Sequence, residues 1–168
     1  MNRSKMLTIS AATVFGLALL AGDAIGAPKA KINKNQLIGD WTLVSVNAPN
    51  TAVQNHPGDG YLVFERNGRF SLSLLSSDVP KFASNNRNTG TADENKAAVQ
   101  GTISYFGTYS VNQGDGTLML HVERSSFPNW NGTDQQRLIT SLSAQELKYT
   151  NPAASIGATA ELTWKRMK

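Results

Sequence analysis

The chain has 168 residues, of which 40% are hydrophobic and 17% charged, with a formal net charge of +4 and no cysteine. That length suits one domain with a core large enough for independent stability, and the hydrophobic share excludes a disordered polyelectrolyte. The missing cysteine excludes a lipid-anchoring thioether, disulfides and a thiolate nucleophile, so burial and hydrogen bonds alone must hold the fold.

At the N-terminus, Arg3 and Lys5 precede an uncharged apolar run from Leu7 to Ala21. The run falls short of the about 20 residues needed to span a bilayer comfortably. Ala24-Ile25-Gly26 then places small residues at positions −3 and −1 of a peptidase site. Pro28 disfavours cleavage after Ala27, so the Gly26/Ala27 bond is the expected cut. Residues 1–26 read as a signal peptide, 27–36 as a polar leader and 37–168 as the domain. An uncleaved membrane anchor is the alternative reading of the same run. Leu20-Ala21-Gly22 resembles a lipoprotein box, but Asp23 stands where the lipidated cysteine would be. Export to the periplasm or beyond the cell is expected, with no stable membrane insertion after processing. Taking Arg3, Lys5 and Asp23 from the 16 basic and 12 acidic residues leaves 14 against 11. Apart from Lys29/Lys31/Lys34 and Lys165/Arg166/Lys168, the remaining charges are scattered, which reads as solvated tails and not as a nucleic-acid footprint.

Leu37 to Val46 is rich in β-formers and reads as the first strand. After a loop holding His56, Tyr61–Glu65 and Arg69–Leu75 flank Asn67-Gly68, a strong hairpin signal in which both turn residues are expected to take positive φ. Residues 78–101 break the rhythm. Within them Thr91-Ala92-Asp93-Glu94 is a capping box, predicting a short helix from Ala92 to about Gln100 closed by Gly101. A long excursion with its own helix is a candidate lid. Strand character resumes at Thr102–Val111, Thr117–Ser125, Gln135–Leu142, Glu146–Thr150 and Ala158–Arg166. Eight strands with mostly tight connections predict an all-β, eight-stranded antiparallel up-and-down barrel.

Gly39-Asp40-Trp41 at the start of the first strand resembles the Gly-x-Trp signature of lipocalins. Tyr105-Phe106-Gly107-Thr108-Tyr109, His121-Val122-Glu123, and Phe127-Pro128-Asn129-Trp130-Asn131-Gly132-Thr133-Asp134-Gln135 resemble the bacterial and fungal lipocalin-like domain family. Pro80-Lys81-Phe82-Ala83-Ser84 and Leu162-Thr163-Trp164 match in order, so the likeness spans roughly Leu37 to Arg166. The resemblance implies a calycin-type barrel in which Trp41 closes the floor and Arg166 packs over it. It implies little chemistry, because fold is not function.

Alternation along Thr117–Ser125 places Met119, His121, Glu123 and Ser125 on one face and Leu118, Leu120 and Val122 on the other. If the first face points inward, the cavity holds an imidazole, a carboxylate, the Arg137 guanidinium and the phenols of Tyr105 and Tyr109. Such a set could anchor a ligand, transfer protons from His121 or Glu123, or form a satisfied structural network. Three functions stay open. The first is an exported protein binding a small, mostly apolar or aromatic molecule, with Tyr61, Phe70, Tyr105, Tyr109, Leu147, Tyr149 and Trp164 as contacts and His121, Glu123 and Arg137 as polar anchors. The second is an isomerase or cyclase with His121 and Glu123 as catalytic groups. The third is a filled barrel working through its surface. A binding role is favoured over an enzyme. No cofactor motif is present, and two distant histidines without cysteine do not suggest a metal site. Nothing in the sequence specifies an oligomeric state.

Overall fold

A computed structural model describes residues 32–49 and 55–168. The expected signal peptide, and the leader up to residue 31, lie outside the described residues. The chain forms β1 (Gly39–Asn47), β2 (Gly60–Phe64), β3 (Arg69–Leu75), α1 (Ala92–Gln100), β4 (Thr102–Asn112), β5 (Thr117–Ser125), β6 (Thr133–Leu142), β7 (Glu146–Asn151) and β8 (Ala160–Arg166), with 3-10 turns at Lys34–Gln36 and Pro128–Trp130. Each strand pairs antiparallel with its sequence neighbours, and β8 returns to β1, closing an eight-stranded barrel. Closure leaves no strand with an unpaired edge.

All eight predicted strands and the helix form, with shifts at their ends that have local causes. Leu37 lies outside β1 because a capping box on Asn33 and Gln36 winds the preceding residues into a helical turn. Ala158 lies outside β8 because its carbonyl accepts from the Ala154 N–H at 3.0 Å across a turn holding Gly157 at φ 76°. β6 starts earlier than expected, at Thr133, which pairs with Val122 of β5. The Asn67-Gly68 turn also departs from expectation. Only Gly68 takes a positive φ, 88°, while its N–H donates to Glu65 O at 3.1 Å. A four-residue turn ending in a glycine bulge replaces the two-residue turn. In α1 the capping box forms as read, Thr91 N–H donating to Glu94 Oε2 at 2.8 Å and Glu94 N–H to Thr91 Oγ1 at 3.3 Å.

The strand connections divide the barrel into two unlike ends. At one end lie the short β2–β3, β4–β5 and β6–β7 turns, together with the two ends of the barrel sequence. Here Trp41 is fully buried, its indole N–H donates to Leu37 O at 2.8 Å, and the Arg166 guanidinium lies 4.0 Å above its ring. Arg166 also donates to Gln36 O, Ile38 O and Ala144 O, tying the start of the barrel to its last strand and the β6–β7 turn. Leu43, Leu62, Phe64, Leu118, Leu120 and Leu147 fill the interior. At the opposite end lie the four long connections, one of which carries α1.

Candidate functional site

The filling does not reach the end with the long connections. A cavity of about 400 Å³ opens there, within the ~300–1,000 Å³ range of small-molecule sites. Leu72, Leu74, Ile103 and Leu162 supply its aliphatic walls, and Val99 and Gln100 of α1 reach its margin. Inward positions alternate along each strand, so β3, β4 and β8 each contribute every second side chain.

One wall is aromatic and polar. Trp130 sits on the 3-10 turn between β5 and β6, started by Pro128 at its first position. Its ring meets Tyr105 edge-on at 5.2 Å and Phe127 at 5.9 Å. The Arg137 guanidinium lies 5.6 Å from the Trp130 ring and is 1% exposed. Arg137 donates to Asn151 Oδ1 at 3.0 Å, to Gln136 O at 2.7 Å and to the Tyr105 hydroxyl at 3.2 Å. Tyr149 completes this wall, its ring stacked on Trp164 at 6.4 Å. Burial pushes the Tyr149 hydroxyl well above the usual phenol range, so it stays protonated.

Of the residues singled out from sequence, Tyr105, Arg137 and Tyr149 meet in this cavity. Phe70, Tyr109, Leu147 and Trp164 are buried but do not line it. Phe70 backs Tyr105 at 5.8 Å. Tyr109 belongs to the filled end, donating to Glu65 O at 3.1 Å with Lys34 over its ring.

Three others face outward, correcting the expectation that they line the interior. Tyr61 is 45% exposed and donates to Asp40 on the neighbouring strand at 2.7 Å. β5 turns Leu118, Leu120 and Val122 inward, which sends His121 and Glu123 to the outside. There His121 Nδ1 lies 2.8 Å from Asp134 Oδ1, directly across the β5–β6 pair. Glu123 accepts from Arg69 Nη1 and Nη2, each at 3.0 Å, and this pair holds its carboxyl below the usual carboxylate range. The physical reason is burial: three aliphatic side chains gain more from the interior than one imidazole and one carboxylate could.

Asn151 escaped the sequence reading. Alternation through Leu147 and Tyr149 puts it on the inward face, so the signal was present. Leu72, Leu74, Ile103 and Leu162 could be read only as core, because nothing in sequence separates a cavity wall from a filled one.

Residues 38–167 match the model of a lipocalin-like domain family. No curated protein matches the chain in sequence. Among solved structures it is similar to a lipocalin-like protein from Bacteroides uniformis, at 14% identity and a TM-score of 0.46 over 79% of this chain and 99% of that one. It is also similar to bovine odorant binding protein complexed with its natural ligand, at 20% identity and a TM-score of 0.40 over 83% of this chain and 77% of that one.

Proposed function

The chain belongs to the lipocalin-like domain family, and from that premise we propose that it is an exported protein that holds a small, mostly apolar or aromatic molecule inside its barrel. The observation that carries this is the cavity itself: about 400 Å³, open at one end, with aliphatic walls and a few converging polar groups. A filled barrel acting only through its surface would have no such space. The enzyme alternative drew on His121 or Glu123 beside a substrate. Among the described residues lining the cavity there is no histidine, aspartate or glutamate, which favours binding over proton transfer. Export rests on the basic start, apolar run and small residues before Ala27.

Native mass spectrometry of processed protein from its own host tests both parts. We expect a chain beginning at Ala27, carrying one extractable small molecule. An empty barrel that also ignores a panel of apolar and aromatic compounds would overturn the binding reading, and an unprocessed chain would overturn export.

A further inference from the structure

Arg137 is the one charged residue among the described residues lining the cavity. A guanidinium offers five N–H donors and, unlike a lysine, cannot shed its charge on burial. Three of those donors are used. Nη1 serves Gln136 O and Asn151 Oδ1, and Nη2 serves the Tyr105 hydroxyl. Nε is buried without a hydrogen-bond partner and Nη2 makes a single bond, to Tyr105, while the Tyr149 hydroxyl is a further neutral group beside the guanidinium. Nε and Nη2 share an edge of the guanidinium plane, the kind of fork that donates to both oxygens of a carboxylate.

The partners Arg137 does have are all neutral. Among the described residues no carboxylate pairs with it, whereas Arg69 on the outer face has Glu123. A buried charge without an opposite charge is costly, and such charges are usually paired. The missing partner has a space beside it. Tyr105, whose oxygen accepts from Arg137, keeps its own proton free to donate into the same cavity.

We propose that the occupant carries a carboxylate, which Arg137 neutralises and Tyr105 helps to orient, while its apolar body lies against the aliphatic walls. This rests on the binding function proposed above and narrows it to organic monoacids of acyl or aromatic type. A single buried cation matches one negative charge. A phosphate dianion would leave one charge unopposed in the same apolar wall.

The test compares decanoate, decanol and decylamine by calorimetry on processed protein stripped of co-purified molecules. A biphenyl series with the same three head groups covers aromatic occupants. Decanoate or its biphenyl counterpart is expected to bind about ten- to a hundredfold more tightly than the alcohol, with the amine weakest. Arg137→Met should abolish that preference, bringing the carboxylate and alcohol affinities together. Tyr105→Phe, which keeps the packed ring, should reduce it severalfold. Independently of any variant, carboxyl-labelled decanoate followed by carbon NMR should titrate below its free value when bound.

Alcohol binding as tightly as carboxylate, or a bound carboxylate titrating at or above its free value, would overturn the carboxylate assignment and leave the binding function standing. If neither series binds in any form, the binding function falls, and this assignment with it.

Discussion

Arg137→Met asks whether this arginine serves the fold or the cavity. Its burial and hydrogen bonds make it look like a structural bolt, yet the terms nearly cancel. Methionine loses three hydrogen bonds, each worth about 1 kcal/mol net, and a cation–π contact with Trp130 worth about 1 kcal/mol. It removes a desolvation penalty of several kcal/mol for a cation with no opposite charge. Asn151 Oδ1 keeps a second donor, the Ala153 N–H at 3.3 Å. The unbranched methionine side chain refills most of the volume. The expected change in unfolding free energy is therefore within about 1.5 kcal/mol of zero, read by urea denaturation with an unchanged slope. A core truncation such as Leu120→Ala, at 1% exposure, should cost about 3 kcal/mol in the same assay. Decanoate at a hundredfold over its Kd should then add about 2.7 kcal/mol to the native protein and clearly less to the variant at the same concentration. A loss above about 3 kcal/mol without ligand would refute the reasoning and make Arg137 a structural element.

Arg166→Ala removes the ring contact with Trp41 and three bonds to backbone carbonyls, partly solvated. It should cost about 3 kcal/mol by urea denaturation, with Arg166→Lys recovering only part. At the β4–β5 bulge, a Cβ on Gly107 would meet the backbone of His121. Gly107→Ala should therefore lower stability by about 3 kcal/mol or more, and a soluble variant within about 1 kcal/mol of native would contradict that close approach. His56 Nε2 lies 3.0 Å from Asp78, joining two connections at the open end, and the carboxylate raises its pKa above the ordinary 6.5. The folded form thus holds the proton more tightly. The stabilising contribution is full below pH 6.5 and fades as pH rises through the raised value. Proton NMR should find His56 titrating above 6.5 in the native protein and near 6.5 in Asp78→Asn.

The barrel was legible because its determinants are local. Period-two patterning, the Asn67-Gly68 turn and the Thr91/Glu94 box each act within a few residues. The inward direction of β5 was open for a different reason. Both of its faces have coherent compositions, and the decision belongs to neighbours distant in sequence. Asp134 and Arg69 give His121 and Glu123 partners on the outside, while Trp41 and Leu43 wait on the inside. Tyr61 failed in the same way, since aromatic content suggests an interior place and its hydroxyl found Asp40 at the surface. The position of the void could not be read at all. It follows from where large side chains such as Trp41, Phe64 and Trp164 fill the barrel and where they stop.

The two ends of the barrel follow from one division of labour. Arg166 and Trp41 brace the end with short turns, where packing is complete, and the unfilled interior lies at the other end. At the open end the connections are held by polar contacts that solvent can replace. Examples are the His56–Asp78 pair and the Glu94 carboxylate accepting from Ala83 N–H at 2.8 Å. Helix α1 has no buried residue, and Val99, beside the cavity, is 77% exposed. Segments with few buried contacts and exposed hydrogen bonds open at low free energy. Opening there would expose the aliphatic walls without disturbing the eight-stranded ring, giving the proposed apolar occupant a way into a folded barrel. Arg137 lies on β6, within that ring, and not on the connections. A ligand's polar group would therefore meet a fixed anchor while its entrance adapts.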